Sequence, residues 1–136
     1  MGDKPKTFIN SSEWIGAFEV SLCMNYFLGI DCRIVNLANG GELYSAATIT
    51  TLQEHFKREG TPVMIGGHVK AFTIVGVDVQ DEDSGVRYLI VDPHYTGSDK
   101  DAKTILQKGW VSWQDPQKLF KADCFYNMCL PLPIKQ

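Results

Sequence analysis

At 136 residues the chain is one domain's worth, and an apolar share of 44% with seven Phe, five Tyr and three Trp is enough for a real core. Thirteen Lys and Arg against sixteen Asp and Glu give a net charge of −3. That balance argues against nucleic acid as the main partner, because phosphate binding needs a surplus of cations, and Lys4, Lys6, Lys57 and Arg58 are scattered.

Met1–Phe8 is polar and reads as no secretory signal, and no stretch has the length and hydropathy of a membrane span. The Met1-Gly2 start invites a lipidation reading, but Lys6 stands where the motif wants Ser or Thr. Cys23, Cys32, Cys124 and Cys129 include no CxxC pair, which speaks against a zinc site; no bound cofactor is expected. They read as free thiols in a reducing, cytoplasmic compartment.

In chain order, residues 1–10 form an extended lead-in. Asn10, Ser11 and Ser12 offer helix caps and Glu13 suits a first turn. Trp14–Leu28 follows as a helix ending at Gly29. Its apolar positions nearly encircle it, which predicts burial on most sides, with Cys23 as core. Cys32–Leu37 is a short strand, Asn39-Gly40-Gly41 a turn, and Ala46–Arg58 a second helix closed by Gly60. His55 reads as a surface histidine of that helix. Pro62–Gly67, Ala71–Asp78 and Val86–Asp92 read as an antiparallel meander, with a hairpin turn at Asp81–Gly85. Thr104–Lys108 is a helical turn, Gly109–Trp113 a strand or loop, Pro116–Phe120 another helical turn. Cys124–Leu130 is the last strand, stopped by Pro131. No repeat or linker divides the chain, so 1–136 reads as a single domain.

The stretch most suggestive of chemistry is Val91-Asp92-Pro93-His94-Tyr95-Thr96-Gly97. Residues two apart share a face of a strand, so Asp92 and His94 would project together from its end. A carboxylate beside an imidazole sets its tautomer and supports its charged form, the base half of a triad. The same residues also suit an ordinary strand exit, with Asp capping a turn and His in solvent. Gly66-Gly67 lets a peptide tail approach closely, or is a plain tight turn. His68 lines the same cleft or is a loop histidine. Asp92, His94 and His68 as a metal site would need a further ligand that the sequence does not place.

Five motifs then carry a resemblance over nearly the whole chain: Trp14–Val20, Glu59–Gly67, Val91–Gly97, Lys108-Gly109-Trp110 and Phe125–Pro131. Their order and spacing resemble the ubiquitin-fold-modifier-specific proteases. Met1–Pro5 suggests the shorter of that family's two main branches. The resemblance implies an α+β, papain-like cysteine protease fold with a central antiparallel sheet flanked by helices, its N-terminal part missing. It implies cleavage after the modifier's terminal glycine, both in precursors and in conjugates on lysines. Asp92 would be the orienting carboxylate and His94 the base. Gly66 and Gly67 would lie near the cleft that takes the modifier's glycine tail, with His68 on its rim where family members often carry Gly, and Trp110 and Trp113 in a structural segment.

In the family, the nucleophilic cysteine and an oxyanion tyrosine lie upstream of the stretch equivalent to Gly2–Phe8. None of the four cysteines here occupies that place or has the context of a reactive thiol. The chain is therefore expected to keep the base pair without the nucleophile and to be inactive alone. It would be a short form, or the C-terminal portion of an active protease. The alternatives are a pseudoprotease that binds the modifier without cutting and, more weakly, a metal-dependent hydrolase. Without a packing partner, Trp14–Leu28 is expected to expose apolar surface.

Overall fold

The computed structural model describes residues 4–80, 85–98 and 100–133. The expected hairpin turn at 81–84 lies outside them. The elements are α1 (Ala17–Leu28), β1 (Asp31–Leu37), α2 (Ala46–Arg58), β2 (Val63–Gly67), β3 (Lys70–Val79), β4 (Val86–Val91), α3 (Ala102–Gln107), β5 (Val111–Gln114), α4 (Pro116–Leu119) and β6 (Tyr126–Leu132). Short 3-10 turns at Lys6–Phe8 and Gly40–Tyr44 complete the chain, the first within the lead-in read as extended.

All six strands form one sheet, ordered β1-β6-β2-β3-β4-β5. Every pairing is antiparallel. The α+β architecture and the β2-β3-β4 meander are as expected. One face of the sheet carries the core: Val63, Ile65, Phe72, Ile74, Tyr88, Ile90, Tyr126, Met128 and Leu130 pack with Leu43 and Leu52. These positions alternate along each strand, as period-2 patterning requires. The Tyr88 hydroxyl, fully enclosed, donates to the Leu43 carbonyl, and burial pushes its pKa up.

α2 begins where its cap dictates. The Ser45 hydroxyl accepts the Thr48 N–H at 3.3 Å, and Gly60, at φ 72°, turns the chain away after it. His55 is not the surface residue expected. It is 5% exposed, and its Nε2 lies 2.9 Å from Thr61 Oγ1 and 3.0 Å from the Thr61 carbonyl. The threonine hydroxyl in turn donates to the Pro131 carbonyl at 2.8 Å. This chain of polar groups ties the end of α2 to β6.

Pro131 sits inside β6 rather than stopping it. β6 pairs with β1 along Tyr126–Leu132, but with β2 only along Tyr126–Cys129. Pro131 thus lies beyond the N-terminal start of β2, where a strand can spare one N–H. Cys124 precedes β6 and packs against the core cluster instead of lying in the strand.

α1 contacts β1, β6 and β2. The expected caps at Asn10–Ser12 are not used. The helix starts at Gly16, whose N–H donates to Glu19 Oε2 at 3.0 Å, while Lys4 Nζ pairs with the other Glu19 oxygen at 3.1 Å. Nor is α1 buried on most sides. Ala17 alone is buried, and Cys23 is half-buried. Phe18, Tyr26, Phe27 and Leu28 are 55–69% exposed, Trp14 is 64% exposed and Ile15 53%. The apolar surface expected from Trp14–Leu28 is therefore open. No helix among the described residues is long and apolar enough to cross a membrane.

His55→Ala removes a buried ring and leaves the Thr61 carbonyl short of a donor. Its expected cost is roughly 2 kcal/mol, read as a fall in the urea midpoint at unchanged slope. A change below about 0.5 kcal/mol, the scatter of ordinary surface substitutions, would show that the ring carries no such role.

Candidate active site

The candidate site grows from the end of β4. Its register with β5 closes at Val91 opposite Val111, and one further hydrogen bond continues it, from the Asp92 N–H to the Trp110 carbonyl at 2.8 Å. Pro93 then has no N–H to offer, and the chain leaves the sheet. His94 folds back. Its backbone N–H donates to Asp92 Oδ1 at 2.9 Å, and its ring Nδ1 lies 2.6 Å from the same oxygen.

Sequence alternation foresaw the pair, but not how it forms. Asp92 and His94 lie beyond β4 and meet through an Asx turn, not through a shared strand face. A carboxylate can only accept, so Nδ1 carries the proton and Nε2 of the neutral ring keeps its lone pair free. The His94 side chain is 67% exposed and that of Asp92 29%. A hydrogen bond so open to water adds little to stability. What the arrangement supplies is a fixed tautomer with a basic nitrogen facing outward, fit to take a proton from a thiol or hydroxyl brought to it.

The other sequence-selected residues lie at the same end of the sheet. Thr73 is the partner of Val91, and Ala71, two residues nearer the β2–β3 turn, is the partner of Gly66. Gly66, Gly67 and His68 line a cleft of about 180 Å³ with Trp14, Ile15 and Asn127. Asp92 and His94 are not among its lining residues. The two glycines have different reasons. A Cβ on Gly67 would stand 2.2 Å from the Phe125 carbonyl and 2.5 Å from the Tyr126 ring, so this glycine admits β6. A Cβ on Gly66 would meet only the flexible Met64 Cε, at 3.1 Å.

His68 is exposed and sits at φ 53°, in the left-handed region. It opens the two-residue connection between Gly67 and Lys70, a position that favours glycine. Sequence reasoning did not select Trp14, Ile15 or Asn127 as cleft residues. Trp14 and Ile15 precede α1, far along the chain from β2, and nothing local signals where they end up.

No cysteine stands by His94. Cys129 lies in the same cross-sheet row as Val91, through Met64 and Thr73. That is three strands away, or roughly 14 Å at normal strand spacing. Cys32 is one strand further, Cys23 lies within α1, and the Cys124 Sγ points to Asp123. Burial, followed by the neighbouring Cys32, pushes the Cys129 thiol up to about 12. Such a thiol is protonated and inert near neutral pH. Among the described residues no group of three or more His, Cys, Asp or Glu is placed to hold a metal. The set Asp92, His94 and His68 is thus not assembled for one.

A family model described as Peptidase family C78 matches residues 1–129. Human Ufm1-specific protease 2 is 46% identical over 130 residues, covering 96% of this chain and 27% of that protein. The Drosophila melanogaster probable Ufm1-specific protease 2 is 47% identical over 131 residues, covering 96% of this chain and 21% of that one. The crystal structure of UfSP from C. elegans superposes with a TM-score of 0.84 at 42% identity, over 96% of this chain and 24% of that chain. The chain thus spans about a quarter of the length of these relatives. The human and fly proteins carry the second-type name, not that of the short branch suggested by Met1–Pro5.

Three outcomes are expected. Gly67→Ala overpacks the β2–β6 contact and costs roughly 1–3 kcal/mol or more, whereas Gly66→Ala costs clearly less; equal urea midpoints would contradict the assignment. His68→Gly relieves the left-handed strain against a smaller entropic loss, for a net gain of up to about 1 kcal/mol; a lower melting temperature would contradict it. The Cys129 proton is held more tightly in the folded state than in the unfolded chain. Its contribution is therefore fully present below the ordinary thiol value of about 8.5 and lost as pH rises toward about 12. Urea midpoints should fall across that window, in the same direction as the Tyr88 contribution, and a rise would reverse the sign.

Proposed function

The chain belongs to peptidase family C78, and on that premise we propose that residues 1–136 carry the base and its orienting carboxylate for a cysteine protease acting on the ubiquitin-fold modifier Ufm1. The observation behind this is the single carboxylate oxygen, Asp92 Oδ1, that takes both the backbone and the ring N–H of His94. His94 Nε2 accepts the proton of an incoming thiol. Asp92 holds the tautomer and stabilises the imidazolium that results. The ring later returns the proton to the leaving amine.

The modifier reaches the site by its slender C-terminal glycine tail, whether in a precursor or in a conjugate on a target lysine. Gly66, Gly67 and His68 border the cleft at that end of the sheet, which supports a path for such a tail. Four free thiols support a reducing, cytoplasmic setting. The nucleophile is not among those four, since none neighbours His94. By themselves, residues 1–136 therefore bind the modifier's tail and do not cut it. A second reading, a module whose purpose is binding, has the same cleft in its favour.

Incubating residues 1–136 with the modifier precursor, and with a modifier bearing a C-terminal electrophile, should give neither cleavage nor adduct. An adduct would overturn the missing-nucleophile reading, and mapping it would name the cysteine. Calorimetric titration with the mature modifier should show binding. Its absence at high micromolar concentration would remove both the tail-path and the binding-module readings.

A further inference from the structure

The Asp92–His94 geometry poses a mechanical question. The His94 side chain is two-thirds exposed, so burial does not hold it, and a hydrogen bond open to water is a weak restraint. A base is useful only if its orientation is fixed before the substrate arrives. Something else must stiffen the turn, and the segment after His94 has the means.

Trp110 grips this turn on both sides. Its carbonyl accepts the Asp92 N–H at 2.8 Å, and its own N–H donates to the Ile105 carbonyl at 3.0 Å, which anchors it to α3. Its ring packs against that of Tyr95, with centroids 5.9 Å apart and planes at 55°. The Tyr95 hydroxyl reaches across the loop and donates to the Ser98 carbonyl at 3.0 Å. The ring thereby closes over Gly97, where a Cβ would stand 2.2 Å from the hydroxyl oxygen and 2.5 Å from Cζ. Gly97 is exposed and is not among the residues of positive φ. Its lack of a side chain therefore answers to Tyr95 and not to backbone conformation. Asp92 is thus held through its N–H, and the residue after His94 is held through its ring, both by Trp110.

We propose that Tyr95, seated on Trp110 and closed over Gly97, is a positioning residue that keeps the His94 ring on Asp92. The role rests on the reading of His94 as a base. Tyr95 itself acts through the turn and needs no contact with substrate. The hydroxyl secures the far side of the loop, and the ring contact supplies most of the restraint.

The test is the nitrogen NMR spectrum of the His94 ring in residues 1–136, with labelled histidine, at a pH where titration of the same spectrum shows the ring neutral. Wild type should give two well-separated nitrogen signals, protonated Nδ1 and bare Nε2. Tyr95→Ala and Gly97→Ala should collapse them toward a tautomeric average, with the slowly exchanging Nδ1–H lost. Tyr95→Phe, which keeps the ring on Trp110, should retain most of the separation. Unchanged separation in both Tyr95→Ala and Gly97→Ala would overturn the proposal. If Tyr95→Ala fails to fold, Gly97→Ala on the exposed loop decides alone. Asp92→Ala, which removes the acceptor altogether, distinguishes the two levels of the argument. If it too leaves the signals separated, the pairing and the base reading fall; if it averages them while the Tyr95 and Gly97 variants do not, only the positioning role falls.

Discussion

The sheet depends on β6 being admitted between β1 and β2, and that rests on a space a few ångströms wide. Tyr126 is fully buried, with its ring against Phe120 and its hydroxyl accepting the Lys121 N–H at 2.9 Å. The ring passes where any side chain at 67 would be. Once it is seated, β6 pairs with β1 along seven residues and with β2 along four. Met128 and Leu130 then complete the core. The same step carries the Pro131 carbonyl to Thr61, and through Thr61 to His55. α2, placed by its own cap, is thereby locked to the sheet. One missing side chain governs the packing of three elements.

The Asp92–His94 pair hangs on the opposite part of the sheet, at the β4–β5 edge. The two regions share little beyond the rows that run across the strands. The core can therefore be strong where nothing reacts, while the base pair sits nearly in solvent. Its order comes from hydrogen bonds and a ring contact local to residues 92–110. Such exposure suits the role proposed for His94, because a buried histidine would be precise but unreachable.

How much of this could be read beforehand varied with how local the cause is. The bounds of α2 were legible because an apolar stripe at helical spacing is closed by Gly60. The meander was legible because three apolar runs are cut by turn residues. His55 was misread because its partner Thr61 is set by the path of the chain beyond the helix. Pro131 was misread because its tolerance depends on β2 beginning only at Val63. α1 looked buried because apolar positions all round a helix state what the helix could pack against, not what does. In the site, Asp92 and His94 were visible as a pair, but the turn that joins them was not. Gly66-Gly67 was visible as a unit, yet only one of the two owes its identity to strand packing. The cleft wall from Trp14 and Ile15 had no local signature.

The strand order also has a meaning in time. β6 follows β1 to β5 in sequence but lies between β1 and β2 in space. Until it arrives, β1 has no neighbour in the sheet, and the meander presents the open edge of β2. The nascent chain thus carries an unpaired edge and a half-covered core until Tyr126–Leu132 has been made, and closes them with contacts of long sequence separation. Such contacts pay their loop entropy late and form slowly. The interval before β6 docks is when wrong pairing at the β2 edge competes hardest with folding, and a chaperone or a slower elongation rate would matter most there.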